Sequence, residues 1–128
     1  MPTQSDQAIT QTIADIRSTA GALDARLQAI DVGDVSDILQ TVWNITHDEM
    51  VILRAICDGL DDADGIHHAV DILLYQARRP AWTIFSALSV LLDDEEFSAE
   101  LAPSVRNEID STKQVAGQLN DHLDSLAP

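Results

Sequence analysis

Two stretches, one at each end of the chain, repeat mostly apolar residues at alternating spacings of four and three. This is the a/d spacing of a coiled-coil seam, and it restricts each end to a long helix with one buried stripe. The first seam consists of Ile9, Ile13, Ile16, Ala20, Leu23, Leu27 and Ile30. The second consists of Val105, Ile109, Thr112, Ala116, Leu119, Leu123 and Leu126.

The two seams match in size when they are laid antiparallel. Ala20 then meets Ala116, and larger residues meet large or medium ones. A glycine follows each alanine, Gly21 and Gly117, and small residues at one level let two helix backbones approach closely. We therefore predict that the first and last helices pair along their length. Two alternatives stay open: each seam packs on the middle of the chain, or it meets its counterpart in another subunit.

The length and the scarcity of turn residues predict one all-α domain. We assign residues 1–128 to a single helical bundle with two long antiparallel terminal helices, over 6–31 and 103–126. Three to four shorter helices are expected between them, in a 35–92 core.

Local signals divide that core. Thr46 and Glu49 have the capping-box spacing, which predicts the start of a helix, and Gly59 is expected to end it. Pro80 is expected to break or kink the following helix, because proline removes a backbone donor. Arg78 and Arg79 would then occupy a last helical turn, where the helix dipole favours positive charge.

The charge balance is strongly acidic. The chain carries 22 acidic and 7 basic residues, for a formal charge of −15, and Lys113 is its one lysine. Dispersed aspartate with almost no lysine resembles the surface of proteins from salt-accumulating halophiles, so we predict a halophilic protein; a mesophilic acidic protein is the alternative. The charge argues against nucleic acid and anionic membranes as partners, since both require basic patches.

Several functional classes lack their signals. The N-terminus has no basic region followed by an apolar core, so a cytoplasmic protein is expected. Cys57 is the single cysteine, which excludes an internal disulfide. No glycine-rich phosphate loop, Cys-x-x-Cys pair or Gly-x-Ser-x-Gly elbow is present, and we predict neither catalytic residues nor a cofactor.

His67, His68 and Asp71 are weak candidates for a metal site. Spacings of three and four place a histidine and the aspartate on one helix face, where they can offer two ligands to one ion. A complete site needs further ligands from another helix, and a His–Asp hydrogen bond is the simpler interpretation.

Tyr75, Arg78, Arg79 and Trp82 are the candidate interaction residues. Arg78 and Arg79 are the only adjacent basic pair, and all four share one region around Pro80. Aromatic and arginine side chains are enriched at interface hot spots, although the arginines can equally pair with nearby acids.

Together these patterns favour a small, non-catalytic helical protein that acts through protein–protein interaction, as an adaptor, regulator or assembly component. A protein partner or self-association, including a homodimer, is expected. The alternative is a helical bundle that binds a metal or small ligand near His67, His68 and Asp71, possibly with catalytic activity.

Overall fold

The computed structural model describes residues 4–62 and 67–126, and the side chains of 10–60 and 69–126. These residues form five helices: α1 (Gln4–Ala29), α2 (Asp37–Asp62), α3 (His67–Asp93), α4 (Glu95–Glu100) and α5 (Pro103–Ser125). The prediction of an all-α bundle is confirmed. None of the helices, within the described ranges, is long and apolar enough to cross a membrane.

The four long helices contact one another in a closed order. α1 packs on α2 and α5, α3 packs on the same two helices, and the short α4 packs beside α3. Arg54 of α2 reaches Asp24 of α1, while Cys57 and Asp58 line a shallow pocket with Ala14. Residues later in α2 thus lie beside residues earlier in α1, so these two helices run antiparallel.

The terminal seams lie in the core of the single chain. Ile9 falls outside the described side chains, and Ile13, Val105 and Leu126 are half-buried. The other seam residues are buried: Ile16, Ala20, Leu23, Leu27 and Ile30 near α1, and Ile109, Thr112, Ala116, Leu119 and Leu123 on α5. α1 and α5 contact each other, and the residue-by-residue register between them stays a prediction.

The predicted role of the two glycines is wrong. A Cβ atom built on Gly21 would lie 3.2 Å from Nη1 of Arg54, on α2. One built on Gly117 would lie 3.5 Å from Cε2 of Phe85, on α3. Both glycines therefore point toward the central helices, and the close approach that they permit is not one between α1 and α5.

The predicted boundary at Thr46, which divides residues 35–58 into two helices, is also wrong. Thr46 lies inside α2, fully buried, and its Oγ1 donates to the Trp43 carbonyl at 2.6 Å instead of capping a new helix. Gly59 does not end the helix either. A Cβ atom built on Gly59 would lie 3.4 Å from the two methyl carbons of Leu73, on α3. The helix continues through Thr46 because one buried apolar stripe extends along its whole length. The stripe consists of Leu39, Trp43, Met50, Leu53 and Cys57.

Pro80 does not break the chain into two helices. It is buried inside α3, which runs continuously through it. An interior proline costs a helix about 3 kcal/mol. Burial of Ala77, Ala81 and Ile84 on both sides of Pro80 offsets that cost. α2 and α3 therefore have 26 and 27 residues, as long as α1 with 26, and the expected core of shorter helices is replaced by two long ones.

The connections follow local signals. Gly33 has φ of 77°, and its amide donates to the Asp31 carboxylate at 2.9 Å, which ends α1 in a tight turn. Asp94 caps α4 by accepting from the amides of Glu96 and Phe97. Pro103 occupies the first turn of α5, where its missing amide costs nothing.

Candidate interaction site

Among the described side chains, the exposed large apolar ones are confined to one pair of helices. The large aliphatic and aromatic residues that are exposed lie on α2 and α3, and α1 and α5 contribute none among the described side chains. A bundle helix normally keeps its apolar stripe on the core side. The set consists of Ile38, Ile45, Val51 and Ile52 on α2 and Ile72, Tyr75, Trp82 and Val90 on α3.

An open groove of about 700 Å³ runs between α3 and α5 at the level of Pro80. All four predicted interaction residues line it, so the structure brings this set together. The α3 wall consists of Tyr75, Gln76, Arg78, Arg79, Trp82 and Phe85, and the α5 wall of Gly117, Asn120, Asp121 and Asp124.

Three contacts hold the two walls antiparallel. Asn120 Nδ2 donates to the Ala81 carbonyl at 3.1 Å and to the Ala116 carbonyl of its own helix at 2.9 Å. Arg78 Nη2 lies 3.3 Å from Asp124 Oδ1, and Gly117 faces Phe85. The ion pair is solvent-exposed and contributes on the order of 0.2–1 kcal/mol. The partly buried asparagine is therefore the stronger link across the groove.

The two arginines differ in their surroundings. Both lie in the middle of α3, so the explanation by a helix C-terminus is wrong. Arg78 is held by Asp124, whereas Arg79 is exposed and has no ion pair or hydrogen bond within the part of the chain that the structure describes. The Arg79 guanidinium is therefore available to a molecule that approaches α3.

The two exposed rings leave most of their surface in water. Tyr75 is 71% exposed and Trp82 is 64% exposed. Phe85, half-buried, lies at the base of the groove with Lys113 Nζ 5.6 Å from its ring centroid. A buried aromatic side chain removes about 150–250 Å² from water, so covering this pair would stabilise a complex substantially. The groove combines the side-chain types that dominate binding energy at interfaces.

The metal candidates are not brought together. The side chains of His67 and His68 lie outside the described residues, and Asp71 is exposed on the first turns of α3. Within the described side chains no group of three His, Cys, Asp or Glu residues is close enough to hold an ion. A metal or ligand site there stays a prediction.

Two features of this face were missed from the sequence. Ile38, Ile45 and Ile52 recur every seven residues and form one exposed stripe on α2. Residues 72–92 form the longest stretch without an acidic residue, in a chain with 22 acids. Both signals are visible in the sequence, since one is a heptad repeat and the other a gap in the charge pattern.

Comparison with protein-family models, curated proteins and solved structures gives no significant match to this chain. Its function therefore has to be inferred from its own residues and contacts.

Proposed function

We propose that this protein is a non-catalytic binding protein that acts through protein–protein contact on its α2–α3 face. The observation that carries the proposal is the confinement of the exposed large apolar side chains to these two helices. Contiguous exposed apolar patches on soluble domains are commonly interaction sites. A partner that covers this face would remove from water the surface that the bundle itself leaves unburied.

The groove beside Pro80 is the proposed centre of the contact. Tyr75 and Trp82 supply two mostly exposed rings, and Arg79 supplies a charge that no described residue pairs with. Aromatic and arginine anchors of this kind carry most of the binding energy in measured interfaces. The surrounding residues would exclude water from these anchors.

We further propose that α1 and α5 form an antiparallel, coiled-coil-like pair that supports this face. The burial of the alternating seam residues on both helices supports this, as do the antiparallel courses of α1 against α2 and of α5 against α3. Ala20 and Ala116 are both fully buried, as a close-packed level between two helices requires.

The composition supports a halophilic setting for this interaction. A charge of −15 on 128 residues repels itself and any similarly charged partner in dilute buffer. At about 1 M salt the screening length falls to about 3 Å, and apolar contacts then dominate association. A cytoplasmic location stays a prediction.

Affinity capture from a lysate held in molar salt tests the proposal. The wild-type chain should retain a protein partner or a second copy of itself, and Trp82→Glu should lose it. Ala22→Glu is the matched control, because Ala22 is exposed on α1, which contributes no residue to the groove or to the exposed apolar set among the described side chains. A wild-type chain that stays monomeric and captures nothing, or a Trp82→Glu variant that captures the same partner, would reject the proposal.

A further inference from the structure

The outward face of α3 repeats residues at the spacing of a helix-pairing seam. Arg79 and Trp82 lie near its centre, and the whole series advances by steps of three and four: Ile72, Tyr75, Arg79, Trp82, Ser86 and Val90. All are exposed except the half-buried Ser86. The core-facing residues Ala77, Ala81 and Ile84 occupy the opposite side of the same helix. α3 thus has one seam turned to the core and a second one turned to solvent.

We propose that a second copy of this chain packs on this outer seam, with its α3 antiparallel to the first. The two-fold axis passes between Arg79 and Trp82. The inference rests on the proposed function in one respect: both assign this face to protein contact. It goes further by naming the occupant and its register.

The outer seam is complementary to itself in this register. Tyr75 lies opposite the partner's Ser86 and Arg79 opposite the partner's Trp82. Ile72 lies within one residue, about 1.5 Å along the axis, of the level of the partner's Val90. Each pair occurs twice, as an isologous two-fold interface requires. Apolar residues meet at both ends, and at each intermediate level a large ring faces a small side chain or a flexible one.

The charge pattern of α3 favours this helix for contact between two copies. Each copy carries −15, so most pairs of surfaces would place carboxylates against carboxylates. Residues 72–92 carry no acid and two arginines. Arg78 is already paired with Asp124, which leaves Arg79 as the positive charge of this stretch that has no partner among the described residues. That charge meets an indole ring in the proposed register, and a guanidinium over an aromatic face is a favourable cation–π arrangement.

The dimensions of the seam suit an interface. From Ile72 to Val90 it extends about 27 Å at 1.5 Å per residue. The exposed isoleucines 38, 45 and 52 of α2 lie on the neighbouring helix and extend the apolar surface sideways. A stable interface removes about 800 Å² from each partner, which one helix face and its two flanking grooves can provide.

Sedimentation equilibrium of the full chain tests the stoichiometry. We expect a species of twice 13.9 kDa whose dimer fraction rises with salt, because salt screens the repulsion between two copies of charge −15. The salt series stays above the concentration at which circular dichroism shows full helicity. A chain that remains monomeric at every salt concentration, a higher oligomer, or a dimer fraction that falls with salt would overturn the inference.

Point variants test the face. Trp82→Glu and Arg79→Glu place an acid at the centre of the seam, and each should weaken the dimer about thirtyfold or more in Kd, the size of a hot-spot loss. Ala22→Glu adds an acid at an exposed position of α1, outside the proposed face, and should leave the dimer intact. Both seam positions are exposed, so helicity should be unchanged; a dimer that survives both substitutions would overturn the inference.

Disulfide cross-linking tests the register. Ile72→Cys combined with Val90→Cys should give a covalent dimer under mild oxidation, because each cysteine faces the other one across the interface. Ile72→Cys alone should not, because its two copies lie at opposite ends of the seam. Cys57 is buried and serves as the unreactive internal control in the wild-type chain. Equal cross-linking of the single and double variants would overturn the proposed register.

The same variants separate the two proposals. A monomeric chain that captures a different protein, and loses it on Trp82→Glu, would overturn the dimer and support the proposed function. A monomer that captures nothing would overturn both.

Discussion

The Glu100 carboxylate accepts two hydrogen bonds from Ser36, one from its amide at 2.6 Å and one from its hydroxyl at 2.8 Å. Ser36 immediately precedes α2, and its Oγ also accepts a 3.4 Å hydrogen bond from the Leu39 amide. The carboxylate therefore lies at the N-terminus of α2, where the helix dipole favours negative charge. This contact ties the short α4 to the start of a helix 64 residues earlier.

Glu100→Ala should lower the free energy of unfolding by about 1–2 kcal/mol, because it removes two charge-assisted hydrogen bonds and a dipole interaction at an exposed site. Urea unfolding at constant molar salt measures this. Glu108→Ala removes the same charge elsewhere and serves as the control. Combining Glu100→Ala with Ser36→Ala should cost less than the sum of the two single changes, and strict additivity would refute the coupling.

Two glycines should respond to alanine in opposite directions. Gly117→Ala should raise the free energy of unfolding by about 1 kcal/mol, because the new methyl group would make an ordinary 3.5 Å contact with Phe85 and alanine favours the helix. Gly33→Ala should lower it by about 1 kcal/mol, since φ there is 77° and only glycine adopts that region freely. Thermal melts of the two variants side by side provide the measurement; a shift of the same sign in both would contradict the prediction.

The proposed pairing of α1 with α5 can be tested at the level where its residues are smallest, Ala20 and Ala116. Ala20→Leu should destabilise the fold by about 1–3 kcal/mol through overpacking, because Ala20 is fully buried. If Ala20 faces Ala116, then Ala116→Gly should partly rescue Ala20→Leu although it is destabilising alone. Ala87→Gly, at a buried alanine on α3, is the control and should give no rescue. Absence of rescue by Ala116→Gly would exclude the proposed register.

Thr46 should behave as an interior helix residue. Thr46→Val keeps the shape and removes the hydroxyl that donates to the Trp43 carbonyl, so the expected loss is within about 1 kcal/mol. Thr46→Ala leaves a cavity at a fully buried position and should cost more. Chemical unfolding of both variants distinguishes this from a cap, because loss of a capping hydroxyl would make the two substitutions equally harmful.

Helicity should depend on salt. With a charge of −15, the folded chain should lose circular dichroism at 222 nm in dilute buffer and regain it in molar potassium chloride, because screening removes self-repulsion. Potassium chloride and sodium chloride should act alike if screening is the cause. A spectrum that does not change with salt would refute the halophilic interpretation.

Sequence patterns predicted the ends of the chain better than its middle. The predicted ranges 6–31 and 103–126 lie close to the observed Gln4–Ala29 and Pro103–Ser125, because an uninterrupted a/d repeat and Pro103 are local signals. The boundaries at Thr46 and Pro80 failed because tertiary burial overrode local propensity. A capping hydroxyl and a proline each favour a boundary by a few kcal/mol at most, less than the burial of a continuous stripe contributes.

The candidate site was predictable only in part. Spacing around Pro80 was sufficient to group Tyr75 with Trp82, and the structure places both on one groove. The heptad spacing of Ile38 and Ile52 is visible in the sequence, but their exposure was not predictable. Periodicity shows that residues share a face, not which face the neighbouring helices leave uncovered.

Pro80 lies between Tyr75 and Trp82 on α3, and it has no amide to donate to the Gln76 carbonyl. A helix bends most easily where one internal hydrogen bond is missing. The two rings therefore lie on either side of the missing hydrogen bond, and a change in the bend of α3 would alter the distance between them. A partner that contacts both rings, as proposed, would therefore respond to the curvature of α3 at this single imino acid.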